Sequence, residues 1–327
     1  MSATIRDIAK ACGRSIGTVS RALKNQPGLS ENTRAQVCAC ARALGYDFNH
    51  LKVGRIRRIA FLLHSQHNTL ASSPFYSPVL HGAEQACRRQ GIALSFFAIN
   101  PAEPVLDQIR RHQPDAILCA GYFEPELLAA LRDTGKPIVL ADLRLSGYNS
   151  INPDHRLGGY LATRHLIQEG RKHIAMLSGS LAHYSISERA RGFRKALFEA
   201  RMLANPDYEI TVDLQHGQEE GVRQAMRELL ALHPRPDAIF CFNDSTALGA
   251  MRHCINAGLK VPHDVAIVGF DDISAAALAS PPLSSIYIDK EALGAAGVQL
   301  LLRKDSQACE EQVLPVELIV RESSYDE

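Results

Sequence analysis

The sequence predicts an α/β protein: a small N-terminal helix-turn-helix head, then a body of two lobes with doubly wound parallel sheets. Three observations carry that expectation. Met1–Gly45 falls into three short helical patterns separated by a tight turn and a polar loop. From Ile59 onward, short apolar runs alternate with amphipathic helical stretches, the pattern of consecutive βα units. Charge divides at the same place. Residues 1–58 hold 11 Lys/Arg against 3 acids, whereas the whole chain has 36 against 35. A basic head (+8) on an acidic body (−7) marks the head as the part that meets a polyanion.

A chain of 327 residues, 46% hydrophobic, can bury a full core in two or three domains. The pattern divides it into a head at 1–47, a linker at 48–58 and a body at 59–327, with lobe crossovers near 154–158 and 286–292. Met1–Ala11 has no uninterrupted apolar stretch, so no signal peptide is expected. Without a run of 18 apolar residues, no membrane span is expected either. The eight cysteines lack CxxC spacing, and Cys38 and Cys40 do not face each other on a helix. That argues against zinc and disulfides and for a reducing cytoplasm.

Within the head, Thr4 is placed to cap a first helix, with Asp7 completing a reciprocal cap. Ile5, Ile8 and Ala9 supply its apolar stripe, and Gly13 ends it. Ser15 caps a second helix, Ile16 to Leu23, whose inner face carries Val19 and Leu23. Its other face offers Gly17, Thr18, Ser20 and Arg21, all small or basic, which lets a backbone approach base edges in a major groove. Pro27-Gly28 marks a loop, and Ser30 caps a third helix packing Val37, Ala41 and Leu44 inward. On shape alone, a solvated three-helix bundle with incidental charge is the competing reading. Gly13-x-Ser15-x-Gly17 matches a hydrolase nucleophile elbow, but no buried strand precedes it, and the match is read as chance.

The motifs Thr4-Ile5-x-Asp7-Ile8-Ala9, Ser15-x-x-Thr18-Val19-Ser20-Arg21 and Ser30-x-x-Thr33-Arg34-x-x-Val37, ending Leu44-Gly45-Tyr46, resemble the head of lactose-repressor-type (LacI/GalR) regulators. The resemblance implies that the second helix enters the major groove of a palindromic operator. It also implies that Ile16 and Gly17 help choose the operator and that Arg21 reads bases. Thr4, Ser15, Thr18, Ser20 and Thr33 would hold phosphates or cap the helix ends that do. Arg14 stands where that family has a small apolar residue.

The connector departs from the family. Where the resemblance implies a hinge helix wedging an apolar residue into the minor groove, this chain has Phe48 in place of a proline and Arg55 in place of the leucine wedge. Two readings stand side by side: Leu51 or Val53 wedges while Arg55, Arg57 and Arg58 follow phosphates, or the stretch is a flexible basic linker.

In the body, Ile59–Leu63, Ala93–Ala98, Ala116–Ala120 and Ile138–Ala141 read as buried parallel strands of one lobe. Ile174–Ser178, Tyr208–Val212, Ala238–Phe242 and Val265–Gly269 read as those of a second. Ligands of such lobes sit at the carboxyl ends of the strands. Those ends carry Phe75-Tyr76, Asp154, Arg189, Asn243-Asp244 and Asp271-Asp272. Carboxylate and amide acceptors, an arginine fork and an aromatic wall suit a polyhydroxylated ligand. Helix capping competes with ligand contact for Asp154, Asp244 and Asp272, where capping is favoured. For Arg189, Asn243 and Asp271 ligand contact is favoured. His64 and His67 form an HxxH that reads as solvated loop residues rather than a metal pair.

The resemblance extends to His165-Leu166-Ile167-x-x-Gly170-Arg171-x-x-Ile174-Ala175, to Asn243-Asp244-x-x-Ala247-Leu248-Gly249, to Val261-Pro262-x-Asp264-Val265-Ala266-x-Val268-Gly269-Phe270-Asp271-Asp272 and to Pro281-Pro282-Leu283. It implies a periplasmic-binding-protein-like body, a homodimer and a small-molecule effector, most often a sugar. His216 stands where members often place a pocket aromatic, and Ile288 where some carry a polar residue. No leucine-rich tail follows Arg321-Glu322-Ser323, which implies a dimer rather than a tetramer. The expected protein is thus a ligand-gated transcription factor, most often a repressor. A solute-binding protein is the weaker alternative, set back by the basic head and the missing signal peptide. An enzyme is not expected: no phosphate loop, dinucleotide glycine pattern, HExxH or ordered Ser/His/Asp set stands at a strand–helix junction, and no cofactor or metal is implied.

Overall fold

The computed structural model describes residues 3–24, 28–46, 56–66, 74–214, 217–303 and 309–325. Three helices form the head: α1 (Ile5–Ala11), α2 (Ile16–Leu23) and α3 (Glu31–Ala43). Ile8, Val19, Val37 and Ala41, all without exposed surface, close its core around three large aliphatic side chains. Burying each such side chain stabilises by about 1.5–3 kcal/mol, enough to hold a small bundle whose helices are too short to persist alone. Thr4 and Asp7 make the reciprocal cap of α1, and Ser15 and Ser30 accept amide protons from Thr18 and Thr33 at the starts of α2 and α3. The turn after α1 places Gly13 at φ +63°, a left-handed conformation that ends the helix at little cost. The linker residues 48–55, including Phe48, Leu51, Val53 and Arg55, lie outside the described residues.

The first lobe begins with β1 (Arg58–His64), α4 (Tyr76–Arg89), β2 (Ala93–Ile99), α5 (Val105–His112), β3 (Ala116–Ala120), α6 (Pro125–Arg132), β4 (Ile138–Ala141) and β5 (Asn149–Pro153). The chain then enters the second lobe through α7 (His155–Gln168), β6 (Ile174–Ser178), α8 (Tyr184–Glu199), β7 (Glu209–Thr211), α9 (Gln218–Leu230), β8 (Ala238–Cys241), α10 (Asp244–Asn256), β9 (Ala266–Asp271), α11 (Ser274–Leu278) and β10 (Ser284–Ile288). It returns with α12 (Lys290–Leu302) and β11 (Glu311–Leu314), and crosses a third time to β12 (Val316–Ile319). One sheet runs β11-β5-β4-β3-β1-β2, all parallel. The other runs β12-β10-β9-β8-β6-β7, parallel except for β12 against β10.

The α/β class holds, and each apolar run read as a strand is one. Their continuity follows from helices covering both faces, so that all five residues of β3 and all five of β6 are buried. Four strands escaped the sequence reading: β5, β10, β11 and β12. Each is polar, short or next to a proline, and three of them belong to chain crossings rather than to βα units.

The crossing of α7 and α8 is close at two glycines. A Cβ on Gly159 would lie 2.2 Å from the Arg189 carbonyl oxygen, and one on Gly192 would lie 2.1 Å from that of Arg156. Only glycine lets α7 and α8 touch backbone to backbone, and Arg189 at that contact lies over the carboxyl ends of the central strands β8 and β9.

Candidate functional site

Two sites emerge, one on the head and one between the lobes. On the head, Ile16, Gly17 and Arg21 are exposed along α2, and Thr18 and Ser20 are half-buried. Ile16 keeps 53% of its surface in solvent, an unusual cost for an isoleucine that packs nothing. Nothing but the Ser15 hydroxyl approaches a Cβ built on Gly17. Arg21 lies over the same turn, its Nε donating to the Gly17 carbonyl at 3.4 Å. The Ser15 and Thr18 hydroxyls lie 2.8 Å apart, and those of Ser30 and Thr33 lie 2.9 Å apart, so both caps present polar rims at helix N-termini. Thr4 Oγ1 donates to Asp7 at 2.7 Å. Arg14 reaches back to Gln36 on α3 at 3.2 Å.

Between the lobes, residues far apart in sequence converge. Arg189 is 4% exposed and its guanidinium is divided among several partners. Nη2 meets Asp271 at 3.2 Å, Nε donates to His155 Nδ1 at 3.4 Å and Nη1 donates to the Phe242 carbonyl. The guanidinium carbon stands 3.7 Å from the centroid of the Phe270 ring, a cation–π contact inside the fold. From the first lobe, Asp142 comes within 2.9 Å of His155 Nε2 and accepts from the Tyr76 hydroxyl at 3.0 Å. Phe75 packs edge-on against Tyr76, their centroids 5.0 Å apart.

Burial governs the charges here. It pushes the Asp271 carboxyl up to about 6, Arg189 pulling the other way and Asp142 adding to the rise. Burial also works to raise Asp142, but the His155 ring and Arg189 outweigh it and leave this carboxyl below its usual range. His155 is held below the ordinary imidazole range by burial, against the pull of Asp142. Asp244, enclosed by the Ser285 hydroxyl at 2.6 Å and the Ile273 amide at 2.8 Å, is pushed up to about 8 by burial and by Asp271.

Backbone geometry is unusual at the same place. Asp271 (φ +102°), Asp272 (φ +47°) and Asp142 (φ +60°) all occupy the left-handed region without being glycine. Such residues cost about 1–3 kcal/mol each and persist where the surroundings hold them. Lys290 does so for the first pair, its Nζ donating to the carbonyls of Asp271, Asp272 and Ile288.

The capping expected of Asp154 holds, and several other expectations change. Asp154 caps α7 by accepting from the Leu157 amide at 2.9 Å. The cap of α10 is Asn243, whose Oδ1 accepts from Thr246 at 2.8 Å, and not Asp244, which is buried against Ser285 and Ile273. Asp272 is no cap either: it pairs with Arg321 at 2.7 Å. His64 is not a solvated loop residue but the buried last residue of β1, 3.1 Å from Glu124. His216, Arg55 and His67 lie outside the described residues. Sequence reasoning missed Asp142 and His155. Asp142 directly follows the apolar strand β4, and His155 is the sequence neighbour of Asp154.

The family model described as "Bacterial regulatory proteins, lacI family" matches residues 4–49, and that of the "Periplasmic binding protein-like domain" matches 163–324. The HTH-type transcriptional repressor PurR of Histophilus somni is 33% identical over 339 residues, covering 98% of both chains. The protein of the same name from Pasteurella multocida is 33% identical over 98% of each chain. Among solved structures, a transcriptional regulator CelR–cellobiose complex superposes with TM-score 0.77 at 28% identity, over 98% of this chain and 99% of that one. A LacI family regulator from Enterococcus faecium with bound ribose has TM-score 0.70 at 26% identity, over 82% and 98%. A lac repressor dimer bound to operator and an anti-inducer shares the fold, with TM-score 0.71 at 24% identity over the full length of both. A helix-turn-helix head with an exposed α2 face, joined to two lobes that meet at a buried polar seam, therefore belongs to the lacI family of bacterial regulatory proteins, and the chain is a DNA-binding transcriptional repressor of that family.

Proposed function

We propose that this repressor is a cytoplasmic homodimer whose affinity for a palindromic operator is set by a small neutral ligand, a sugar or sugar derivative, held between the two lobes. The observation that carries the reading is the convergence of Arg189, Asp271, Tyr76 and Phe75 in the inter-lobe cleft, with a cation, acceptors and aromatic faces together. Two of the structural neighbours are described with cellobiose or ribose bound, which supports the carbohydrate class. On the head, Ile16 and Gly17 select the operator, Arg21 reads a base edge, and Thr4, Ser15, Thr18, Ser20, Thr33 and Arg55 meet phosphates. In the cleft, Phe75, Tyr76, Arg189, His216 and Asp271 contact the ligand. Asn243 offers only its amide nitrogen, and Asp154 contributes through the start of α7.

Coupling requires that the ligand bind two arrangements of the lobes with different affinity; only then does occupancy alter the spacing of the heads. No described helix is long and apolar enough to cross a membrane. The test is selection of the operator from genomic DNA, followed by a screen of sugars and nucleobases for compounds that shift operator affinity. A palindromic site and a carbohydrate hit are expected. A shift by nucleobases alone removes the sugar reading, and a monomer in sizing experiments at micromolar concentration removes the dimer.

A further inference from the structure

We infer that the first lobe is itself part of the DNA interface: Arg57, Arg58, Arg110 and Arg111 form a basic shelf that carries the phosphate contacts of the head onto the body. The inference rests on the Ser30–Thr33 rim of α3 meeting phosphate, and it extends that contact beyond the head. Charge in the body is unevenly divided. Residues 59–153 hold 7 Lys/Arg against 8 acids and residues 154–327 hold 18 against 24, so most of the acidity lies beyond the first five strands. Within residues 59–153 the cations gather at one end. Six of the seven, Arg88, Arg89, Arg110, Arg111, Arg132 and Lys136, stand in the last turns of α4, α5 and α6 or just before β4. In parallel βα units helices stop where strands begin, so this is also the end at which β1 starts with Arg58, preceded by Arg57.

The helix macrodipole favours cations at every helix C-terminus and would load both lobes alike. The lobes differ. In the second, the last turn of α8 has no basic residue and those of α9 and α10 have one each, Arg227 and His253. In the first, α4 ends with Arg88-Arg89 and α5 with Arg110-Arg111-His112. The arginine-rich end is also the one that faces the head. Arg42 on α3 pairs with Asp133 at 3.2 Å, and Glu31 at the start of α3 approaches Arg110 at 3.5 Å. A Cβ built on Gly135 lies 3.5 Å from the Leu23 carbonyl oxygen at the end of α2. Glu31 directly follows Ser30, so Arg110 stands beside the Ser30–Thr33 rim.

Nearby acids at this end are engaged. Asp115 accepts from the amides of Arg57 and Arg58 at 2.8 and 2.9 Å, and Asp133 is held by Arg42. Arg58 Nη1 donates to the His112 carbonyl at 3.1 Å, which ties the start of β1 to the end of α5 and makes one shelf. The Arg110 and Arg111 side chains are 56% and 64% exposed, and their pairs with Asp107 and Glu103 are of the exposed kind that a phosphate displaces. A phosphodiester backbone suits the shelf, since each guanidinium offers a fork to phosphate oxygens and no base edge has to be reached. Movement of the first lobe shifts the shelf against the DNA, which gives the body a contact with the operator that bypasses the linker.

The test follows full-length protein binding to a random-sequence duplex and to the selected operator, by fluorescence anisotropy across a salt series. Arg110→Gln/Arg111→Gln should flatten the slope of log K against log salt by about 2 and weaken binding to both duplexes alike. Arg110→Lys/Arg111→Lys keeps the charge and should keep most of the slope. The same charge removed from the second lobe at exposed sites, Arg223→Gln/Arg227→Gln, should leave the slope unchanged. An unchanged slope in the first variant, a loss confined to the operator, or equal flattening in the second-lobe control overturns the shelf. So does a Glu31→Gln variant that reproduces the flattening, which would make Arg110 a strut for the head. If Thr33→Ala binds like wild type while the shelf variant loses slope, the rim reading fails and the body contact stands. The reverse pattern keeps the rim and removes the shelf.

Discussion

The head and the cleft solve the same problem, presenting polar groups for a partner, in opposite ways. The candidate readers on the head lie within residues 4–33, on helices that cap themselves with Thr4, Ser15 and Ser30. Each side chain is aimed by local geometry, and the face of α2 stays exposed. In the cleft, Tyr76, Asp142, His155, Arg189 and Asp271 come from two lobes and are all buried. Their charges are set by one another: Asp271 rises to about 6 while Asp142 beside it stays low. A local site tolerates the loss of one member, whereas a coupled buried site does not.

That contrast orders the expected effects of substitution. Arg189→Ala should be the most severe, abolishing any effector response and costing about 3–5 kcal/mol of stability, because it strands Asp271 and opens a void beside Phe270. Denaturant melts and ligand titration measure both, and a loss under about 1 kcal/mol would mean that the cluster is not coupled.

Next in size is a pH effect at Asp244. Its folded-state pKa, about 8, lies above the ordinary 3.8, so the folded protein holds the extra proton. The associated stability is present in full below pH 3.8 and is lost as pH rises through about 8. Asp244→Asn should remove that slope and melt higher than wild type at pH 9, because the amide can accept from Ile273 and donate to Ser285. Parallel melting curves for the two proteins from pH 5 to 9 would contradict the burial argument.

Smaller still, Arg21→Ala should weaken specific operator binding by about 1–3 kcal/mol while leaving binding to random DNA largely intact. Equal loss on both, measured by gel shift at fixed salt, would make Arg21 a phosphate contact instead. The smallest effect is expected at a cap. Ser15→Ala should cost the head about 1 kcal/mol, read as a lower melting midpoint with the cleft's ligand response unchanged. Any change in ligand response would show that head and cleft are less separable than their construction suggests.

How much of each site is legible in the chain follows the same division. Caps at Thr4, Ser15 and Ser30 can be read because donor and acceptor lie three residues apart, and local spacing decides the bond. Arg189 and Asp271 can be singled out because strand ends are where doubly wound sheets place ligands. Asn243 and Asp244 are neighbours at one strand end, and which of them caps α10 depends on Ser285 and Ile273 approaching from elsewhere. β11 and β12 lack apolar runs because they are half-buried edge strands, and β5 and β10, though mostly buried, carry the buried polar residues Ser150, Asn152, Ser284 and Ser285.

By itself, the sequence determined the three capped helices of the head, its basic charge against an acidic body, the alternation of buried strands and helices, and the residues at several strand ends. Each of these depends on contacts within a few residues or on composition, which the order of amino acids states directly. Only the tertiary structure decided that Asp142 meets His155 across the lobe seam, that Arg189 rests on Phe270 while holding Asp271, and that glycines at 159 and 192 bring α7 and α8 into backbone contact. Those pairings join residues separated by tens of positions. Protonation and hydrogen-bond geometry there depend on burial, which exists only once both lobes have folded and closed on one another.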